Sequence, residues 1–297
     1  MQTSSTASEI PNAEVNAVPA PARIRTGIGE PTRIKVLLYH RILPEGEGRT
    51  PSHPMWVPAQ EFRRHIALLD QWGYTSITFD DYRFFLQGEL NLPKRPIIIT
   101  FDDGYTETHS IAFPILQEFG MKAVVFVGAD TNIRSAASEK IQTATKATLL
   151  TDAQILEMHS AGFEIGSHAI RHKVLVGMPR EEAWEEISRS RMLLEFLLNA
   201  PVKSFSYPFG SVDGNVKAMV KEAGYTIGCS RWTGPPVFGD DPFEIRRIAM
   251  LSKSKRVFLN FAMRIYAPYH MYRWFIWRVR VTLEAIGIRR TRTRERE

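Results

Sequence analysis

The sequence predicts an α/β fold built around a parallel sheet. Short apolar runs alternate along the chain with longer segments whose apolar residues recur at helical spacing. This alternation is typical of repeated βα units, in which each crossover helix returns the chain to the start of the next parallel strand. The residues themselves leave two arrangements open, an open sheet and a closed barrel.

Seven segments have the composition of buried strands. They occupy residues 34–40, 96–101, 122–128, 163–168, 203–210, 225–230 and 244–250. Helical spacing predicts helices over 59–74, 107–120, 150–162 and 180–198. The third of these begins at a cap formed by Thr151 or Asp152 and is closed by Gly162. His65, which lies on the first helix, is expected at the surface.

The positive charge of the chain is concentrated at its C-terminal end. The formal net charge is +6, yet residues 253–297 carry twelve Lys and Arg against three Glu. The preceding residues are therefore slightly acidic, which argues against a nucleic-acid-binding core. The single cysteine, Cys229, excludes an internal disulfide and a thiolate metal cluster.

The two ends of the chain differ in composition from the segment between them. Residues 1–32 are rich in Ser, Thr, Ala and Pro without a regular period, which predicts disorder, and they lack the pattern of a secretory signal. Residues 273–280 interleave aromatics with arginines, which suits a helix lying on an anionic membrane or one packed on the fold. No uncharged run is long enough to span a bilayer. The expected location is the cytoplasm or the inner membrane face.

Polar residues follow several of the predicted strands. His40 ends the first strand, Asp102 and Asp103 follow the second, and His168 ends the fourth, with His172 four residues later. In both parallel architectures, ligands bind at the carboxyl ends of the strands. We therefore expect these five side chains to meet at one mouth of the sheet.

Two histidines and one carboxylate are a common ligand set for a catalytic divalent metal. One aspartate of the pair can be the third ligand, while the other stays off the metal as a base that activates water. Zinc is the default ion, and cobalt, nickel or manganese would also suit these ligands. Taken singly, a DDG is most often a turn and an HxxxH is most often one face of a helix. Their occurrence together at the ends of different strands favours a metal site.

Three segments resemble the successive motifs of the polysaccharide deacetylase family, the NodB-homology fold of carbohydrate esterase family 4. They are "TFDDGY", "GFEIGSHAIRHKVL" and "FSYPFG", and "LYHRI" resembles the branch in which a YH motif precedes the DDG. The resemblance covers residues 33–252 as one domain, between a disordered 1–32 and a basic aromatic tail over 253–297. It implies a distorted (β/α) barrel of about seven parallel strands. It also implies metal-dependent removal of N-acetyl groups from amino sugars of a polysaccharide or glycan precursor.

The resemblance also implies a role for individual residues. Asp102 matches the catalytic base, and His40 resembles the histidine proposed as general acid. The metal ligands are matched by Asp103, His168 and His172. Phe209 matches the position whose backbone N–H helps to hold the oxyanion, and Tyr207 is grouped with it as an oxyanion or substrate contact. Trp232 is predicted either to stack on a sugar ring or to pack in the fold.

The chain departs from the family pattern in two places. Many members carry in the third motif an arginine that orients the base, and Ser206 or Tyr207 stands there in this chain. Arg247 is the candidate substitute, with a purely structural role as the equal alternative. The histidine that usually follows the last strand is absent, so the general acid is missing unless His40 supplies it.

Two other functions fit the same fold. One is a deformylase or deacylase of a lipid-linked aminosugar, which would keep the metal core and differ only in its pocket loops. The other is a glycan-binding protein without catalysis. The presence of Asp102 together with the three candidate ligands argues against the second, because binding alone does not require a base beside a metal.

Overall fold

The computed structural model describes residues 34–44, 55–130, 148–230 and 241–250, with residues 252, 261, 262 and 265. All of them belong to one compact unit that begins at Thr32. The segment predicted to be disordered, the loop that holds Trp232 and the arginine-rich part of the tail lie outside these residues. Among the helices that can be described, none is both long enough and apolar enough to cross a membrane.

The strands of the described residues follow the predicted series, with three short additions. In chain order they are β1 (Lys35–Tyr39), β2 (Ile42–Leu43), β3 (Val57–Pro58), β4 (Thr75–Ser76), β5 (Pro96–Phe101), β6 (Val124–Val127), β7 (Glu164–Ser167), β8 (Ser204–Ser206), β9 (Ile227–Cys229) and β10 (Ile248–Ala249). Seven of them form a parallel sheet in the order β10-β1-β5-β6-β7-β8-β9, and β4 pairs with β5. Strands β2 and β3 pair separately.

The two ends of this sheet are joined through the segment that precedes β10. Ile245 forms a parallel bridge with Cys229 of β9, while Ile248 and Ala249 pair with the first strand, β1. One short segment therefore contacts both the last and the first strand of the sheet. The predicted distorted barrel of about seven parallel strands is confirmed.

The helices lie between the strands along the chain. They are α1 (Ala59–Gln71), α2 (Phe79–Leu86), α3 (Phe113–Glu118), α4 (Asp152–Ser160), α5 (Arg180–Leu198) and α6 (Gly214–Glu222). A π-helical turn over Thr108–Ala112 precedes α3, so the helix predicted over 107–120 has two parts. Thr151 rather than Asp152 caps α4, because its hydroxyl accepts from the Gln154 N–H and the Gln154 side chain accepts in return.

Side chains alternate between the two faces of the sheet, and both faces are buried. On β5, Ile97, Ile99 and Phe101 pack in the larger cluster with the helices, whereas Ile98 packs with Phe126 in a smaller inner cluster. This arrangement follows from the two-residue period of a strand. Because the inner cluster occupies the barrel interior, the described part of the chain leaves a ligand access at the strand ends.

The core continues beyond residue 252. Phe261 and Ile265 are buried, and the Phe261 ring stacks on His65 with their centroids 4.3 Å apart. His65 also lies 3.1 Å from the Tyr39 hydroxyl through its Nδ1. The prediction that His65 lies at the surface is wrong, because His65 belongs to the face of α1 that packs inward.

Gly166 of β7 tests how tightly the barrel interior is packed. A Cβ at this position would lie 2.5 Å from two ring atoms of Phe126 and 2.6 Å from the Ser204 Oγ. We expect Gly166→Ala to lower the free energy of unfolding of the metal-free protein by about 1–3 kcal/mol, because overpacking forces neighbouring side chains to move. Urea unfolding would measure the change.

Gly214→Ala is the matched control for this substitution. Gly214 begins α6, and no atom lies within 4 Å of a Cβ built there. Its replacement should leave stability unchanged or slightly raise it, because alanine favours helix more than glycine does. If Gly166→Ala were as stable as the wild type, the interior would not be packed as tightly as described.

Candidate active site

A pocket opens at the carboxyl ends of the strands, where the sequence predicts it. Its volume is about 240 Å³. The lining residues are Leu38, His40, Met55, Trp56, Asp102, Asp103, Tyr105, His168, His172, Phe209, Gly210 and Arg247. The structure therefore brings together the five residues predicted to meet at the mouth, and adds Phe209 and Arg247 to them.

Strand register explains why these side chains converge. His40, Asp102 and His168 follow strands β1, β5 and β7. On these strands the residues that face the barrel interior have even numbers, as Val36, Ile98 and Gly166 do. Continuing the two-residue period past each strand places His40, Asp102 and His168 on the same inward face. The backbone keeps this register at Asp102, because its N–H still donates to the Tyr39 carbonyl at 3.0 Å.

Three side chains form a group suited to a divalent metal. The candidate ligand atoms of Asp103, His168 and His172 all lie within 4.8 Å of one another. The Asp103 Oδ1 is 3.4 Å from the His168 Nε2 and 3.3 Å from the His172 Nε2. His168 donates from Nδ1 to the Ser206 carbonyl at 2.7 Å, so the Nε2 of the neutral ring carries no proton. This donor set fits zinc or a similar ion.

The two adjacent aspartates differ because the backbone turns between them. Asp103 has a φ of 72° and is followed by Gly104 with a φ of 67°, so the chain leaves the strand in a left-handed turn. Aspartate adopts this conformation more readily than most residues with a Cβ. Asp102 therefore points into the barrel, while Asp103 joins the histidines.

Arg247 holds Asp102 in a buried, two-pronged ion pair. Its Nη1 donates to the Asp102 Oδ1 at 2.6 Å and its Nη2 donates to the Oδ2 at 2.7 Å. The other three N–H groups donate to the Ser230 carbonyl, the Thr100 hydroxyl and the Ser206 hydroxyl. All five donors of the guanidinium are satisfied, which a charge this deeply buried requires.

The charges of the pocket shift the pKa values of its acids. Burial alone would raise the pKa of Asp102, but the charges of Arg247 and His168 outweigh it and lower the value. Asp103 likewise has a lowered pKa, because its contact with His168 and the neighbouring His40 outweigh its burial. Both carboxylates are therefore ionised at neutral pH.

The two histidines of the group shift in opposite directions. Burial would lower the pKa of His168, but the charges of Asp102 and Asp103 raise it above its ordinary value. Burial and the neighbouring His168 lower the pKa of His172 to about 4. The His172 ring is therefore neutral at physiological pH, which is the form that binds a metal.

His40 lies in the same pocket as the two aspartates. Its Nδ1 is buried and has no hydrogen-bond partner among the residues that the structure describes. The sequence resemblance assigns this ring to proton transfer, and the structure brings it to the pocket that also holds the candidate ligands.

Tyr207 does not lie where the sequence predicts it. Its ring is fully buried, its hydroxyl donates to the Phe243 carbonyl at 2.8 Å, and its N–H donates to the Cys229 carbonyl. The oxyanion or substrate contact predicted for Tyr207 is therefore wrong. Ser206 points inward to Asp102 at 3.1 Å, so the next residue faces the opposite side of the sheet.

Phe209 lies at the pocket in a left-handed conformation, with a φ of 58°. Its ring contacts His172, with the centroids 4.6 Å apart. The hydrogen bonds of the turn run from the N–H groups of Gly210 and Ser211, which leaves the Phe209 N–H outside them. Trp232 lies outside the described residues, and its predicted sugar contact stays a prediction.

Two aromatic residues of the pocket were not identified from the sequence. Tyr105 follows the DDG motif directly, and this position was the only signal for it. Trp56 comes from the segment before α1, where nothing local distinguishes it from a packing residue. Its ring lies 4.9 Å from the guanidinium of Arg41, which is itself paired with Glu107.

Comparisons with known proteins agree in the type of protein they identify. The sequence profile for polysaccharide deacetylases matches residues 89–228. YxkH of Bacillus subtilis, a candidate polysaccharide deacetylase, is 26% identical over 219 residues, which cover 74% of this chain and 72% of that protein. The poly-β-1,6-N-acetyl-D-glucosamine N-deacetylase of Escherichia coli K12 is 36% identical over 70 residues, 24% of this chain and 10% of that protein.

A solved structure is similar over most of the described fold. A crystal structure of a candidate polysaccharide deacetylase from Bacillus anthracis aligns with a TM-score of 0.62 and 27% sequence identity. The alignment covers 79% of this chain and 69% of that one. The likeness therefore extends over most of this chain.

The Arg247–Asp102 pair leads to a pH-dependent stability. In chelator-treated protein at pH 7, Asp102→Asn should lower the free energy of unfolding by about 3–5 kcal/mol, because it leaves Arg247 buried without a counter-ion. The pKa of Asp102 is lower in the folded state than in the unfolded state, where it is about 3.9. The ionised carboxylate therefore contributes its full stabilisation above about pH 3.9, and this stabilisation is lost as the pH falls further towards the folded-state pKa. The difference in the free energy of unfolding between wild type and Asp102→Asn should therefore become smaller below about pH 4.

Urea unfolding at several pH values would measure this difference between wild type and variant. Glu185→Gln is the control, because it removes an exposed carboxylate that pairs with Arg189 on the surface of α5. We expect it to leave stability nearly unchanged at every pH. A deficit of Asp102→Asn that stayed constant down to pH 3 would contradict the assigned charge state of the pair.

Proposed function

Since the chain belongs to the polysaccharide deacetylase family through residues 89–228, we propose that it is a metal-dependent hydrolase that removes N-acetyl groups from amino sugars. The observation that carries the proposal is the group formed by Asp103, His168 and His172 beside the ionised Asp102. The substrate class is supported by the relative that deacetylates poly-β-1,6-N-acetyl-D-glucosamine. A polysaccharide or a glycan precursor is the proposed substrate.

Asp103, His168 and His172 would hold the ion. A divalent metal supplies Lewis acidity there and lowers the pKa of water towards neutrality. The chain prepares the site for it in two ways. The Ser206 carbonyl fixes the proton of His168 on Nδ1, and burial keeps the His172 ring neutral.

Asp102 is the proposed base for the attacking water. Its carboxylate is ionised and cannot rotate, because Arg247 binds both of its oxygens. The Oδ2 accepts two hydrogen bonds and the Oδ1 accepts one, so the Oδ1 keeps capacity to accept from water. Arg247 acts as a positioning residue and takes the place of the arginine that the third motif lacks. It also donates to the Ser206 hydroxyl, which in turn donates to Asp102.

Two further groups complete the proposed reaction. The N–H of Phe209 would donate to the oxygen of the amide carbonyl as charge develops on it. His40 would give a proton to the nitrogen of the leaving amine, because an amide nitrogen leaves poorly without one. The products are acetate and the free amino sugar.

Acetate release from N-acetylglucosamine oligomers tests the function. Purified full-length protein with zinc should release acetate, lose this activity with chelator and regain it when zinc is restored. Asp102→Asn should lower kcat/KM by about 10²–10⁴-fold, because the base is removed. Glu185→Gln, far from the pocket on the surface of α5, should keep the wild-type rate.

Two other outcomes would redirect the proposal. Bound zinc without acetate release would reject N-acetyl substrates of this kind and favour another acyl group, such as formyl, or a lipid-linked sugar. Protein with neither bound zinc nor acetate release would reject catalysis and favour a glycan-binding protein.

The role of His40 can be separated from that of the base by the leaving group. His40→Ala should lower kcat/KM for the N-acetyl sugar by about 10²–10⁴-fold, because the amine then leaves without a proton. The same variant should hydrolyse 4-nitrophenyl acetate at a rate close to wild type, since nitrophenolate leaves without protonation. Equal losses on both substrates would contradict a role as general acid. His109→Ala, in the π-helical turn, is the control, with both rates unchanged.

A further inference from the structure

The loop between the two candidate histidine ligands has an unfavourable backbone conformation. Ala169 has a φ of 61° and His172 a φ of 53°. Both values lie in the left-handed region that residues with a Cβ rarely adopt. Such a loop keeps its shape only when contacts from the rest of the protein hold it.

Glu186 of α5 supplies three of these contacts, beside the hydrogen bond from the Ala129 N–H to the Ala169 carbonyl. Its Oε2 accepts from the backbone N–H of Ile170 at 3.0 Å and from that of Arg171 at 2.9 Å. Its Oε1 accepts from the Nε of Arg171. The carboxylate therefore binds two of the three residues between His168 and His172.

Burial of this carboxylate is costly without such a role. Glu186 is completely buried, whereas Glu181, Glu182 and Glu185 of the same helix are exposed. A buried carboxylate is retained when hydrogen bonds to its oxygens replace those of water. Glu186 receives all three of its hydrogen bonds from the loop, so its burial and the loop conformation depend on each other.

His172 depends on this anchor more than His168 does. The His168 ring is fixed by the Ser206 carbonyl at 2.7 Å. The His172 ring is partly exposed and contacts Asp103 and the rings of His168 and Phe209, with no hydrogen bond to the backbone among those the described residues show. The position of the His172 ring is therefore set mainly by its own backbone. That backbone directly follows Ile170 and Arg171, which Glu186 binds.

We propose that Glu186 is a positioning residue that places His172 for metal binding by anchoring the backbone of Ile170 and Arg171. This inference rests on the proposed function, because it takes Asp103, His168 and His172 as the metal ligands. It assigns to a helix outside the pocket a part in the metal affinity of the pocket.

Zinc affinity of the full chain, measured by competition with a chromophoric chelator at pH 7.5, tests the proposal. Glu186→Gln should bind zinc about 10–100-fold more weakly than wild type, the range typical for residues that orient metal ligands. The neutral amide keeps one acceptor oxygen and brings an NH₂ group towards the loop N–H groups. Glu185→Gln, the neighbouring exposed carboxylate, is the matched control and should stay within about twofold of wild type.

A double-mutant cycle distinguishes positioning of His172 from general destabilisation. In a His172→Ala background, the added Glu186→Gln change should lower zinc affinity by less than about twofold, because the ligand it positions is gone. The same loss in both backgrounds would overturn the proposal. Wild-type affinity in the single variant Glu186→Gln would overturn it as well.

Two further measurements distinguish the proposed role of Glu186 from a folding defect and from a failure of the proposed function. If Glu186→Gln does not fold, Glu186→Asp is the second variant, because it keeps the charge but moves the carboxylate oxygens away from the loop. It should still lower zinc affinity at least about fivefold. An unchanged affinity would overturn the proposal. Wild type that binds zinc but releases no acetate would contradict the proposed function alone. Wild type that binds no zinc would overturn both.

Discussion

The buried ion pair between Arg247 and Asp102 is the interaction on which the site depends. It joins parts of the sheet that are far apart in sequence, because the guanidinium comes from the segment before β10 and its partners come from β5, β8 and the end of β9. A charge buried there without its partner would cost several kcal/mol, so neither residue is independent of the other. The pair therefore couples closure of the barrel to the ionisation of the proposed base.

The separation of the two adjacent aspartates follows from backbone geometry. Asp102 continues the hydrogen bonds and the inward register of β5, while Asp103 turns out of the strand with a positive φ. Each carboxylate then meets different partners, the guanidinium of Arg247 in one case and the rings of His168 and His172 in the other. Two negative charges one residue apart are tolerated because each has its own set of partners.

Left-handed residues recur around the pocket, at Asp103, Ala169, His172 and Phe209. Each costs free energy locally, and the cost is offset by contacts from elements outside the pocket. The carboxylate of Glu186 from α5 is one such contact, because it binds the loop between Ala169 and His172. The shape of the pocket is therefore maintained by residues that do not line it.

The sequence by itself determined the strand series and the residues that follow its strands, because both are local patterns. The seven predicted strands formed one sheet, and the DDG and HxxxH motifs met at its carboxyl ends. Only the tertiary structure brings Arg247 to Asp102, because their contact spans 145 residues and exists only once the barrel is closed. It also turned Tyr207 away from the pocket, since a shift of one residue reverses the face of a strand. Local sequence patterns also did not predict the pocket position of Trp56, the loop contacts of Glu186 or the burial of His65. Each of these depends on an element that packs against the residue from elsewhere in the chain.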